Sequence, residues 1–168
     1  MQFVVDGMLG KLARWLRMMG HDVEYSNKTD DSELLTIAEK QHRILLTRDL
    51  ELYRRAIAKQ VDAFYVTGKT EVEKLAQLAE RFRISLDIDM STSRCPKCNA
   101  QVQPVSKETV AKRVQKNTFE HYTEFWECPN CGQVYWQGAH WTKIREMLGN
   151  ARQNLQKTKK EMGLGSRE

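Results

Sequence analysis

The chain has 168 residues, 40% hydrophobic and 29% charged, with a formal net charge of +5. That length carries one ordinary domain, or a small domain with an appendage. No apolar run approaches the roughly 20 residues of a membrane-spanning helix, and no signal-peptide pattern precedes the first apolar run, so the sequence reads as cytoplasmic. The charge is uneven: residues 1–90 hold 14 Lys and Arg against 15 Asp and Glu, whereas residues 91–168 hold 13 against 7. An acid-bearing half joined to a basic half suits a polyanionic partner held by the second half.

Residues 3–5 (FVV) are a short apolar run with β-branched members and read as a buried strand. Asp6 and Gly7 follow as a sharp turn. From Met8 the apolar residues Leu9, Leu12, Trp15, Leu16 and Met19 recur at helical spacing, with Lys11, Arg14 and Arg17 on the opposite face and Gly20 as the stop. Residues 22–26 (DVEYS) predict a second strand, residues 27–31 a polar loop and residues 32–41 a helix carrying Leu34, Leu35, Ile37 and Ala38. Residues 43–47 (RILLT) predict a third strand, apolar enough to be buried on both faces. A helix over residues 50–59 should turn Leu52, Tyr53, Ala56 and Ile57 inward. A fourth strand over 62–66 (DAFYV), a helix over 70–82 and a short edge strand over 84–88 complete the series. This alternation predicts a three-layer α/β domain over residues 1–90: a parallel sheet with helices on both faces, and a ligand crevice at the carboxyl ends of its strands.

The character changes at residues 91–94 (STSR), which open a smaller unit over 91–148. Its marks are CPKC at 95–98 and CPNC at 128–131, with hairpin strands and a basic segment over 107–116 between them. Residues 143–148 should form a helical turn or more. Residues 149–168, rich in Lys and Arg with a weak apolar face, read as a basic tail, a marginal helix at most.

Asp6 and Asp49 directly follow strands one and three, and Asp30 and Asp31 follow the loop after strand two. All should reach the same rim. Carboxylates meeting there repel unless a cation lies between them, and Mg²⁺ or Mn²⁺ takes such oxygen ligands. Each of these residues also precedes a helix, where Asp is a good N-cap. Asp30 and Glu33 have capping-box spacing, so Asp30 is expected to cap while Asp31 faces the crevice. Glu33 is either a fourth ligand or the cap's partner. Arg48, Lys11, Arg14 and Arg17 are candidate phosphate contacts.

Cys95, Cys98, Cys128 and Cys131 form two C-P-x-C knuckles, and two such pairs close a tetrahedral Cys₄ site for structural Zn²⁺. A disulfide pair is the weaker alternative in a reducing compartment. The same segment offers Arg94, Lys97, Lys107, Lys112, Arg113 and Lys116 interleaved with Phe119, Tyr122, Phe125, Trp126, Tyr135, Trp136 and Trp141. Cations and rings in that mixture suit single-stranded nucleic acid, although most of these rings should form the small core around the knuckles.

The runs VVDGMLGKLARWLRMMGHD, DDSELL, RILLTRD, SRCPKCN and CPNCGQVYWQGAHW, in that order, resemble the Mut-seven C-terminal ribonuclease family over residues 3–148. The resemblance implies a PIN-like nuclease domain followed by a zinc ribbon, and metal-dependent cleavage of RNA. It carries the family's acidic positions onto Asp6, Asp31 and Asp49, and its ribbon cysteines onto Cys95, Cys98, Cys128 and Cys131. Thr67, not an acid, follows strand four. The rival is a non-catalytic module that binds ribosomal RNA or tRNA through the basic half. A phosphoacceptor domain would want adjacent acids after strand one and a lysine after a fifth strand; Asp6 is followed by Gly7, and residues 84–88 by Asp89.

Overall fold

A computed structural model describes residues 1–163. The expected alternation is present: β1 (Gln2–Val5), a 3₁₀ turn (Gly7–Leu9), α1 (Gly10–Met18), β2 (Asp22–Tyr25), α2 (Asp31–Lys40), β3 (Ile44–Thr47), α3 (Leu50–Ala58), β4 (Ala63–Tyr65) and α4 (Glu71–Phe82). The strands form one parallel sheet in the order β2-β1-β3-β4. Successive side chains of a strand point to opposite faces, so Phe3 and Val5 of β1 enter the core under α1 and α4, while Val4 enters the core under α2 and α3. Both cores are closed, with Phe3, Val4 and Val5 all fully buried. Thr70 caps α4 in a complete capping box with Glu73.

The remainder comprises β5 (Gln103–Val105), α5 (Lys107–Val110), α6 (Lys116–His121), β6 (Phe125–Glu127), β7 (Val134–Tyr135) and α7 (Trp141–Glu161). Strands β5, β6 and β7 make a small antiparallel sheet, and Val110, Phe125 and Val134 form its own core.

Three expectations need correction. Residues 84–88 form no strand. Ile84 and Leu86 are buried in the first-domain core, and Arg152 of α7 donates to the Leu86 carbonyl at 2.6 Å. Alternating apolar residues there reflect packing under a helix, not pairing with a strand. The expected tail from residue 149 is instead helical to Glu161, and Leu148, Ala151 and Leu155 of α7 pack into the core that contains Phe3 and Leu12. The cysteine-bearing segment is thus an excursion from which the chain returns to the first domain, and no break in packing separates residues 148 and 149. The last part of the expected tail, residues 164–168, lies outside the described residues. Met8 and Ile57, expected inward, are exposed.

The two units are joined by hydrogen bonds. Ser93 donates to the Met18 carbonyl at 2.8 Å, and the Arg94 amide donates to the Arg17 carbonyl at 2.9 Å. Asn99 accepts from the Val23 amide and donates to Asp22, at 2.9 and 2.7 Å. Gly20 has φ +94°, and a Cβ there would meet Thr92 backbone at 3.1 Å, so this contact needs glycine twice over.

His21 packs edge-on to Phe3 with centroids 5.8 Å apart. Burial, with the nearby N-terminal amine second, lowers its pKa to about 4. The unfolded chain takes up that proton near 6.5, so the stability His21 confers is complete above that pH and falls as the pH drops toward about 4. Urea midpoints at pH 7 and pH 4.5 should therefore differ, and the difference should shrink in His21→Gln.

Candidate active site

The rim at the carboxyl ends of the parallel strands is built around Thr47, the last residue of β3 and fully buried. Its hydroxyl donates to Asp6 Oδ2 at 2.8 Å and accepts from the Asp49 amide at 2.9 Å. One short side chain thus fixes the carboxylate after β1 relative to the backbone after β3. The Asp6 amide continues the ladder by donating to the Leu46 carbonyl at 3.0 Å. Asp6 precedes the 3₁₀ turn but does not cap it, so its carboxylate is spent on Thr47 and the rim. Below the turn, the Tyr25 hydroxyl donates to the Gly7 carbonyl at 3.1 Å. A Cβ on Gly10 would lie 2.6 Å from that hydroxyl, so the close approach requires glycine. Thr47 was not among the candidates read from the sequence. Its signal there was only a hydroxyl residue between a buried strand and Asp49.

Asp30 caps the helix, as expected. Asp30 Oδ1 accepts from the Glu33 amide at 2.8 Å and caps α2. Asp31 makes no capping bond; its Oδ2 lies 3.9 Å from Arg55 Nη1 of α3. Burial, then the charges of Asp49 and Asp6, raise the Asp31 pKa, with Arg55 opposing. Asp31 therefore lies within electrostatic reach of Asp49 and Asp6. Asp49 caps α3 through Oδ1, which accepts from the amides of Glu51 and Leu52 at 2.9 and 3.2 Å. Glu33 is exposed and contributes its amide to the cap. Among the described residues, Asp6, Asp31 and Asp49 do not bring ligand oxygens within 4.8 Å of one another; the four cysteines are the group that meets this spacing.

The basic candidates separate. Lys11 and Arg14 are exposed on α1, and Lys112 is exposed beyond α5. The Arg48 guanidinium crosses to the carbonyl of Gly68 in the turn after β4. Arg113 donates to Glu127 at 3.0 Å and also to the Gly132 carbonyl, so it braces the ribbon. Arg17 corrects the expectation of a substrate contact. It is 6% exposed, donates to the Val23 carbonyl at 3.1 and 2.8 Å and reaches the Pro96 carbonyl at 3.0 Å. Helical spacing placed it opposite the first-domain core, but the ribbon packs on that side. Arg17→Met keeps the stem and removes the bonds; the expected loss is about 2–4 kcal/mol in chemical denaturation.

Cys95 and Cys128 are buried, Cys98 half-buried and Cys131 exposed, and none forms a disulfide. Their sulfurs lie within 4.8 Å of one another, with Cys98 to Cys128 at 3.3 Å and Cys95 to Cys131 at 3.7 Å. The residue after each second cysteine has positive φ: 74° at Asn99 and 76° at Gly132. The two knuckles thus turn alike. Hydrogen bonding from Asn130, then from the Ala100 backbone, draws the Cys98 thiol down to about 6, whereas burial drives Cys128 up to about 12. Cys98 and Cys128 are thus pushed in opposite directions; a bound dication would favour the thiolate at all four positions, which is the chemistry of a zinc knuckle. The group could hold a structural metal such as zinc.

Among the described residues no helix is long and apolar enough to cross a membrane. No curated protein and no solved structure matches the chain significantly. A family model described as the Mut7-C RNAse domain matches residues 1–148, which include the whole acidic rim and both knuckles. The chain therefore belongs to the Mut7-C RNAse domain family.

Proposed function

We propose that this protein is a ribonuclease that hydrolyses RNA phosphodiester bonds with a divalent metal at the rim formed by Asp6, Asp31 and Asp49. The observation that carries the reading is geometric: the Thr47 hydroxyl ties the Asp6 carboxylate after β1 to the Asp49 backbone after β3 at one end of the parallel sheet. A Mg²⁺ or Mn²⁺ ion bound there would supply a polarised water and neutralise charge on the phosphate. The spacing of the acids suits an ion that keeps several of its waters, as Mg²⁺ usually does. Thr47 orients Asp6, the α3 cap orients Asp49, and Arg55 balances Asp31. Lys11 and Arg14 are free to meet flanking phosphates. The four cysteines would hold Zn²⁺ as a staple for the small sheet.

The second reading is a non-catalytic RNA-binding module, favoured by the wider spacing of the aspartates relative to the cysteines. A labelled, unstructured RNA incubated with the protein and Mn²⁺ separates the two. The nuclease reading expects cleavage that needs the metal. Binding without cleavage under every divalent ion would contradict it.

A further inference from the structure

The end of α7 lies against the turn that follows β4, at the carboxyl edge of the sheet on which the acids stand. Asn154, Leu155 and Thr158 line a cavity of about 470 Å³ together with Thr67, Gly68 and Lys69, the turn that follows β4. Helix α4 starts at this turn, and α7 runs antiparallel along it. At the other end of α7, Trp141 and Ile144 share a second cavity with Met18, the last residue of α1. The 21 residues of α7 span about 30 Å, so the helix reaches from the ribbon junction to the carboxyl edge of the sheet.

Its charge is one-sided in sign. Helix α7 carries six Lys and Arg against two Glu, and Lys157, Lys159 and Lys160 cluster in its last two turns. All three are exposed, and none forms an ion pair among the described residues. Lys69 is exposed on the facing turn, which Arg48 supports by donating to Gly68. The groove's own acids are two, Glu73 and Glu80, fewer than the four lysines around it. Glu73 accepts from the Lys69 amide at 2.7 Å within the capping box, and Glu80 stands two turns further from the rim. The cations of the ribbon are mostly engaged already: Lys97 with Gln133, Arg113 with Glu127 and Lys116 with Glu120.

We propose that Lys157, Lys159, Lys160 and Lys69 form a shelf for RNA phosphates on the β4 side of the acids, so that a strand crossing the rim is gripped by the C-terminal helix. This rests on the RNA substrate of the nuclease reading and extends it to a segment outside the matched residues 1–148. Lysines there act as point charges toward a polyanionic backbone and need no base-specific contact.

The test replaces Lys157, Lys159 and Lys160 together with Gln in the full chain, which removes charge while keeping a good helix former. Affinity for a fluorescent single-stranded RNA is measured by anisotropy at several salt concentrations, on an Asp6→Asn, Asp49→Asn background that leaves the RNA uncut. The expected result is weaker binding, with a log–log salt slope shallower by about 2, since each phosphate contact to a single strand contributes about 0.7. The triple Lys→Arg variant should keep the original slope. Lys40→Gln with Lys59→Gln, the same type of charge at the opposite end of the strands, should leave binding unchanged. An unchanged slope in the triple Gln variant, or an equal loss in the Lys40 and Lys59 pair, overturns the shelf. The outcome is independent of catalysis: a protein that never cleaves but loses this slope keeps the shelf and forfeits the nuclease reading.

Discussion

Asp6→Asn is expected to lower RNA cleavage by about 10³-fold, equivalent to about 4 kcal/mol of transition-state stabilisation, with the fold intact. The substitution is nearly isosteric. The Asn oxygen can still accept the 2.8 Å bond from Thr47, and the ladder bond from the Asp6 amide to Leu46 is untouched. What is lost is one negative charge at the rim. Because Asp6 is among the groups that raise the Asp31 pKa, the same variant should also bring the Asp31 titration back toward the ordinary carboxylate range. That second readout separates loss of a charge from general damage. Asp30→Asn serves as the contrast: Asp30 caps α2, and its charge acts on Asp31 more weakly than those of Asp49 and Asp6, so the variant should retain activity. Unimpaired cleavage by Asp6→Asn would end the proposed mechanism.

The second large effect concerns the cysteines. Cys95→Ser is expected to abolish binding of one Zn²⁺ per chain and to release the ribbon from its ordered state. Cys95 is fully buried with Cys128 and Val102, and the Tyr135 hydroxyl lies 3.0 Å from its sulfur. The small sheet has only six buried positions in its own two clusters to oppose the entropy of ordering it, so metal binding is expected to supply much of its stability; structural zinc contributes about 10–16 kcal/mol in small finger peptides. Hydrogen exchange should report fast exchange over residues 95–136, while β1, β3 and α4 remain protected. Zinc stoichiometry by elemental analysis checks the binding itself. Full protection in the metal-free variant would show that the sheet holds without a staple. The effect should reach α1 as well, because Arg17 and Asn99 tie the two units together through Pro96, Val23 and Asp22.

Much of this arrangement was legible in the residues. The parallel sheet follows from apolar runs short enough to be strands, each followed by a helix of amphipathic spacing. The capping role of Asp30 follows from its distance to Glu33, and the structure shows that cap. Other features depend on contacts between distant parts of the chain. Nothing within α1 distinguishes Arg17 from Lys11 and Arg14; only the arrival of Pro96 from the ribbon turns it into an interior residue. Helix α7 was underestimated because its inward face is sparse, with Leu148, Ala151 and Leu155 interrupted by polar residues. Its stability comes from packing along α4 and not from propensity. The strand expected over residues 84–88 failed for the complementary reason: alternation was present, but Ile84 and Leu86 pack into the core and Arg152 of α7 takes the Leu86 carbonyl, so the segment does not join the sheet. Thr47 was overlooked because a buried hydroxyl has meaning only once the two acids beside it are in place.

The central claim is that Asp6, Asp31 and Asp49 hold a divalent ion at one edge of the sheet. Anomalous diffraction from a crystal soaked in Mn²⁺ tests it most directly. The account predicts a manganese peak at the rim, bound to at least one of these carboxylates directly at about 2.0–2.5 Å or through its own waters. A map with metal density at the cysteines alone, and none beside Asp6, Asp31 or Asp49, would contradict it.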